Sequence, residues 1–557
     1  MKTKYKNPSI ASMSAIITGL SVILPQQLGW LAWGGLIGFF YMLLCFADEG
    51  ATLGKYYRAG LLFFTIFYAC AFHFFLYMHP LDFTGIYGLA SVLVVVFCWV
   101  ALPLLQGAIS AVFIMLFGLC ARLGSFRKVR ALAVPTLAVG FVMLEWFQTV
   151  GWWGVPFARL SLSQTIGSFF FGSASLFGSY FITLCVCAVN ASVAYLLFSC
   201  KKDGARSLIK NLRVWGTVAL SVFVLNLTLG IITTAVTDSR CADEEKLTVA
   251  VLQGNFSSKS AYDADPFDIV AVYQDLTREV CKGGEVDLVV WPETALPCTV
   301  REGGSLENEV RQIAKECGVP IIWGGLRYGV DTYANCFFYT HSDGKMDTTI
   351  YQKRHLVPFG EYMPMRGILT LILPFMEEIS MLSKDMTPGD GTEIFEAQGI
   401  GRVGSLICFD SIYESLSLDT VRDGAELIVL GTNDSWFSDS VAIYIHNNQA
   451  RLRAVETGRY IARSAVTGVS TVISPSGKVL AETKLLTEDY AVATVSARSA
   501  RTLYSYIGNT LVLFSYLFFV GILSLGIRKR QETASRTSAE TEKITDGKAY
   551  QSEDDHL

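Results

Sequence analysis

The sequence predicts a polytopic α-helical membrane protein that carries an external α/β domain, and three features predict it. The first is composition: of 557 residues, 52% are hydrophobic and 17% charged, whereas soluble domains hold about a quarter charged. The second is distribution, because the shortfall of charge falls on the first 240 residues, where apolar stretches follow one another. The third is a polar block from 242 to 502, of mixed helix and strand pattern, with one more apolar stretch behind it. A net charge of −4 supplies no cationic footprint for a polyanion, so no nucleic-acid partner is expected.

Eight apolar stretches cover residues 10–24, 29–47, 59–78, 86–121, 131–153, 177–198, 214–236 and 504–527. Most have the roughly 17 to 25 residues that a helix needs to cross a bilayer. No small-residue cleavage site follows the first, and a second begins at once, so it is not read as a cleaved signal. The fourth is long and contains Pro103, which allows one kinked helix or two. The basic residues decide between them. Lys2, Lys4 and Lys6 precede the first stretch, Lys55 and Arg58 follow the second, Arg122, Arg127, Lys128 and Arg130 the fourth, and Lys201, Lys202, Arg206, Lys210 and Arg213 the sixth. Reading the fourth stretch as one span puts every cluster on one face, as the cytoplasmic bias of Lys and Arg requires. Seven spans then occupy 1–241, the block 242–502 lies outside, an eighth span at 503–527 returns the chain, and 528–557 is a cytoplasmic tail. The tail is rich in Ser, Thr, Glu and Lys and is expected to be disordered.

Short β-branched runs alternate with helical patterns in the external block, the mark of a layered α/β domain. Strands are expected at 247–252, 288–291, 319–323, 336–339, 403–407, 427–430 and 471–474, and helices at 305–317 and 447–463. An insert at 363–382 is apolar in its later part, is broken by Pro374 and carries Glu377 and Glu378. It is too short and too charged to span and fits a lid or an interfacial segment. Of thirteen cysteines, seven fall in or beside apolar stretches and the rest are irregularly spaced; with no Cys-x-x-Cys pair or His cluster, no metal site is expected.

Three segments put a reactive side chain beside a strand end, where ligands of α/β sheets gather. Trp291-Pro292-Glu293 offers a carboxylate; Lys353 offers an ammonium, with Glu361 eight residues on; Ile407-Cys408-Phe409-Asp410 offers a thiol. Singly, each has an ordinary reading as a core cysteine, a turn glutamate or one lysine among many. Together they complement one another: the thiolate is a nucleophile, an ammonium lowers its pKa, and a carboxylate accepts its proton. The ammonium and the Phe409 N–H would face the oxyanion formed when the thiolate attacks a carbonyl. Spacing alone leaves open whether the three meet.

Trp-Pro-Glu, then Lys353 with Val-Pro-Phe-Gly-Glu, then Ile-Cys-Phe-Asp resembles the Glu-Lys-Cys triad of the nitrilase superfamily. The run Thr432–Phe437, the run Gln449–Ala454 and Val251–Asn255 resemble its membrane branch, the apolipoprotein N-acyltransferases. The resemblance covers most of the chain. It implies an αββα sandwich, with Glu293 as general base and acid, Lys353 as oxyanion stabiliser, Cys408 as nucleophile and Glu361 as support for Lys353. It also implies a phospholipid acyl donor, a diacylglyceryl-modified apolipoprotein acceptor, a bacterial inner membrane with the catalytic domain in the periplasm, and no cofactor. Phe409 and Asp410 stand where the family usually has Tyr and Glu, and Tyr262 is the nearest match to a family tryptophan. These departures bear on substrate positioning, as does Trp436.

Glu145, near the outer end of the fifth span, reads either as a substrate-side charge or as a structural partner of Arg159. His446 is read as opening the helix after the Trp436 loop, and His73 and His79 as packing residues. Two other readings of the chain remain: a membrane-tethered amidase or nitrilase with the same triad, and a non-enzymatic lipoprotein-binding protein.

Overall fold

The computed structural model describes residues 6–81, 85–127, 129–203, 208–257, 264–329, 333–372 and 385–554. All eight apolar stretches lie on helices. Among the described residues six are long and apolar enough to cross a membrane: Pro25–Glu49, Gly88–Arg122, Arg130–Phe147, Ser179–Lys202, Ile209–Ala242 and Thr510–Ser538. Lys6–Ile23 and Leu53–Ala71 pack with them but are not among the six. Gly88–Arg122 runs through Pro103 as one helix of 35 residues. At 1.5 Å per residue it is about 50 Å long and overreaches a hydrocarbon core of about 30 Å.

Aromatic side chains fill the bundle. Phe39 stacks on Phe63 with ring centroids 4.2 Å apart, and Phe64 sits edge-on to Phe63 at 5.0 Å. Close approach needs small residues: a Cβ at Gly107 would lie 2.5 Å from Thr65 Oγ1, and one at Gly60 would lie 3.0 Å from Ala111 Cα. This small-residue packing joins Leu53–Ala71 to Gly88–Arg122.

The polar block folds as two stacked sheets. Strands β1 (Leu247–Gln253), β2 (Leu288–Val290), β3 (Leu296–Val300), β4 (Ile321–Tyr328), β5 (Tyr333–Thr340) and β6 (Met346–Gln352) enter the first. Strands β7 (Phe395–Ala397), β8 (Gly401–Ile407), β9 (Leu427–Thr432), β10 (Ile461–Ala465), β11 (Thr471–Ile473) and β12 (Val479–Glu482) form the second, and β13 (Asp489–Val495) returns to the first. The orders are β13-β1-β2-β4-β5-β6, with β3 on β4, and β12-β11-β10-β9-β8-β7. The central pairs β1–β2, β2–β4, β8–β9 and β9–β10 are parallel.

Period-two alternation divides the strand side chains between layers. Val249 and Val251 face the core between the sheets with Val290, Ile322, Phe337, Val403, Val429 and Ala462. Ala250 and Leu252 turn instead to the helices Pro266–Gly283 and Ser305–Cys317. Leu406, Ile428 and Leu430 turn to Glu414–Arg422 and Ala442–Thr457. The layers are therefore helix, sheet, sheet, helix.

The helix expected at 447–463 begins earlier and ends sooner, at Ala442–Thr457. Gly458, at φ 67°, caps it in the left-handed conformation, which frees Arg463 for β10. The polar tail, expected to be disordered, continues the last helix as Thr510–Asp554; it contains no proline, and its Glu, Lys, Arg and Ala are good helix formers. Residues 373–382 of the insert lie outside the described residues; Arg366–Ile372 is a short helix with Leu371 81% exposed.

The bundle packs on the second sheet's helix layer. One apolar core runs from Phe39 and Phe157 to Ile412, Ala442, Ile445 and Leu452. Ala442–Thr457 is consequently buried along nearly its whole circumference. Its polar side chains reach the bundle, with Gln449 Nε2 donating to Pro156 O at 3.1 Å and Arg451 Nη1 to Thr165 O at 2.8 Å.

Candidate active site

Glu293 follows β2 by three residues and is 4% exposed. Two glycines make room for it between the sheets. A Cβ at Gly324 on β4 would lie 2.8 Å from Glu293 Cα, and one at Gly431 on β9 would lie 2.8 Å from Glu293 N. The chain leaves through Thr294 at φ 47°, a conformation costly for a β-branched residue and typical of sites where geometry is held against strain.

Lys353 stands just past β6, and its ammonium, buried, lies 3.0 Å from Glu293 Oε1 and 2.8 Å from Glu361 Oε1. Asn335 on β5 donates to the same two oxygens at 2.7 and 3.2 Å. Glu361 Oε2 accepts the Val357 N–H at 2.8 Å, which closes the Val357–Glu361 loop on itself. Burial opposes the Lys353 ammonium, but Glu293, Glu361 and Cys408 favour it, and its pKa is raised well above the usual lysine range. It is a fixed positive charge.

Cys408 directly follows β8 and opens the 3-10 turn Cys408–Ile412 at φ 49°, an elbow that turns the thiol out of the sheet. Burial pushes the thiol pKa up, Glu293 adds to this, and Lys353 only partly offsets it. The lowering expected from the ammonium is present but outweighed, so the net shift favours the neutral thiol and gives a neighbouring base a proton to take.

Asp410 ties the elbow to the lysine strand. It accepts from Ile407 N at 3.0 Å, Tyr351 Oη at 2.8 Å and His355 N at 2.7 Å. Burial raises its pKa. The Phe409 ring lies 5.9 Å from that of His355 and 5.5 Å from that of Tyr413. His355 is lowered to about 4 by burial and by Lys353 and adds no charge at neutral pH.

Glu293, Lys353, Cys408, Glu361 and Asp410 thus come together, while the other candidates divide. Trp436 sits half-buried in the turn Ser435–Phe437, and Tyr262 lies outside the described residues. Glu145 does not pair with Arg159: its oxygens accept from Leu160 N and Thr183 Oγ1, both at 2.7 Å. Arg159 instead bonds Glu414 at 2.6 Å, which also takes Tyr180 Oη at 2.6 Å. His446 does not open its helix but lies inside it, buried, with Nδ1 2.8 Å from Asp434 Oδ1. Asn335 belongs to no motif in the sequence; its one signal there is a lone amide in an otherwise apolar strand.

Two family models match the chain. One, carbon-nitrogen hydrolase, covers residues 248–504; the other, the apolipoprotein N-acyltransferase N-terminal domain, covers residues 14–192. In both parts the chain is similar to apolipoprotein N-acyltransferases. It is 32% identical to the apolipoprotein N-acyltransferase of Geobacter metallireducens over 47% of this chain and 50% of that one. Identity to the Pasteurella multocida apolipoprotein N-acyltransferase is 26% over 95% and 98% of the two chains, and to that of Synechocystis sp. 25% over 80% and 85%. The chain thus spans about half the length of the Geobacter metallireducens relative and nearly all of the Pasteurella multocida one. The carbon-nitrogen hydrolase match covers nearly all of the sandwich, and the other match covers the first part of the bundle.

Proposed function

We propose that this protein moves an acyl chain from a phospholipid to the amino-terminal diacylglyceryl-cysteine of an apolipoprotein, through a thioester on Cys408. The observation that carries it is a thiol on a strained elbow beside the Glu293–Lys353–Glu361 array, in a domain seated on apolar helices. In the first step Glu293 takes the Cys408 proton and the thiolate attacks the ester carbonyl, with Lys353 facing the oxyanion. The ester C–O bond breaks, and Glu293 returns the proton to the departing lysophospholipid oxygen. In the second step Glu293 takes a proton from the acceptor α-amine as it attacks the thioester; the C–S bond breaks, and the proton passes to Cys408 Sγ.

Both substrates are lipid-anchored, which accounts for a hydrolase-like sandwich built onto a membrane bundle. In this reading eight helices span the inner membrane of a bacterium, 242–502 faces the periplasm, and a water-poor mouth spares the thioester from hydrolysis.

Incubation with phospholipid and no acceptor tests the reading. Mass spectrometry should find one hydroxylamine-labile acyl group on the peptide containing Cys408 and none on that containing Cys298. An adduct surviving in Cys408→Ala would overturn it. Brisk hydrolysis of a small soluble amide would favour an amidase, the reading to which the carbon-nitrogen hydrolase match alone would lead.

A further inference from the structure

Behind the elbow lies a second polar array that the mechanism above does not use. Arg463 on β10 bonds Asp434 Oδ2 at 2.5 Å, Asp434 Oδ1 lies 2.8 Å from His446 Nδ1, and His446 Nε2 lies 3.2 Å from the Cys408 carbonyl oxygen and 3.0 Å from Ser411 Oγ. Asp434 and Arg463 are fully buried and His446 is 3% exposed. Thr432 Oγ1 adds a bond to Asp434 Oδ1 at 3.1 Å and a longer contact to His446 Nδ1 at 3.4 Å.

We propose that His446 is a positioning residue for the acyl-transfer site: it donates from Nε2 to the Cys408 carbonyl, fixing the elbow and polarising the peptide group whose other end is the Phe409 N–H. The inference rests on Cys408 being the nucleophile. Proton counting supports it. Nδ1 faces a carboxylate oxygen and Nε2 a carbonyl oxygen, and both only accept, so the array is satisfied when each ring nitrogen carries a hydrogen, as in an imidazolium beside Asp434. The Ser411 hydroxyl has one hydrogen and is 2.7 Å from that same carbonyl. A lone pair at Nε2 would point at the carbonyl oxygen, whereas an N–H there satisfies it. The Cys408 carbonyl and the Phe409 N–H belong to one peptide unit, so a donor on the oxygen strengthens the N–H as a donor in turn. That N–H is the group expected to meet the oxyanion beside Lys353.

Two conservative variants separate this role from simple filling of space. His446→Gln can keep an N–H near the Nε2 position and His446→Asn one near the Nδ1 position. The readout is the single-turnover rate of acyl transfer to Cys408 from phospholipid vesicles, with KM for the phospholipid and thermal midpoint in detergent. His446→Gln should stay within about tenfold of the wild-type rate, and His446→Asn should lose about 100-fold with KM unchanged, the scale of a displaced reacting group. Equal rates in the two variants would overturn the proposal, as would a rate loss that merely tracks the thermal midpoint. A wild-type protein that forms no adduct would instead sink the acyltransfer reading itself.

Discussion

Asp410 Oδ1 accepts the His355 N–H at 2.7 Å, so the turn that carries the thiol and the strand end that carries the ammonium are held by one carboxylate. Its other oxygen takes Ile407 N and Tyr351 Oη. In Asp410→Asn one oxygen would become an amide NH2, a donor facing donors. Leaving a buried donor unpaired costs about 1 to 3 kcal/mol. The variant should unfold at lower temperature and acylate Cys408 about 10- to 100-fold more slowly, the scale of a small misalignment of reacting groups. An unchanged single-turnover rate would show that the elbow keeps its aim without this bond.

The raised thiol pKa sets a pH dependence. Below its pKa a thiol reacts through its thiolate fraction, which grows about tenfold per pH unit. Because burial and Glu293 push Cys408 upward, its alkylation by a small neutral reagent should keep climbing from pH 6 to about 9, without a plateau. Glu293→Gln removes the second of those causes and should shift the rise to lower pH. A plateau near neutrality in the wild type would contradict the assigned direction.

Arg159 and Glu414 are 0% and 2% exposed and lie 2.6 Å apart. Removing one partner of a buried pair costs about 3 to 5 kcal/mol, whereas replacing both is milder. Arg159→Met and Glu414→Gln should each lower the thermal midpoint more than the double variant does. Burial raises the Glu414 pKa, but Arg159 and Arg453 outweigh it and lower the pKa from 4.5 to about 2. A depressed carboxylate stabilises the fold above its unfolded pKa. That contribution should therefore be whole above about pH 4.5 and fade as pH falls toward 2, with a weaker acid dependence in the double variant.

Ile368 and Leu371 are 55% and 81% exposed on the short helix Arg366–Ile372. Replacing both with serine should leave the thermal midpoint within about 2 °C, as surface changes do, yet reduce turnover on vesicle-borne substrate. Loss of the fold instead would identify this helix as core.

The sequence carried the spans and the reactive side chains because each is local. An apolar run announces itself by length, and Glu293, Lys353 and Cys408 each follow a β-branched run directly. What it concealed was made by distance. Asn335 reads as a filler in β5 until Glu293, 42 residues earlier, comes within 2.7 Å. His446 sits in a helix with no apolar stripe, because sheet and bundle bury it from both sides. Strand β13 pairs with β1 across most of the domain, Leu247 opposite Val495, and its partly exposed faces weaken the alternation that would reveal it.

The Arg159–Glu414 contact also has a history within each molecule. Its partners are 255 residues apart, and at about 5 to 20 residues per second a ribosome takes roughly 13 to 50 s to make the second after the first. For that interval the guanidinium has no Glu414 to neutralise it, at the level where the bundle meets the sandwich. Docking of the sandwich on the bundle is thereby tied to the turn that carries Cys408, just ahead of Glu414.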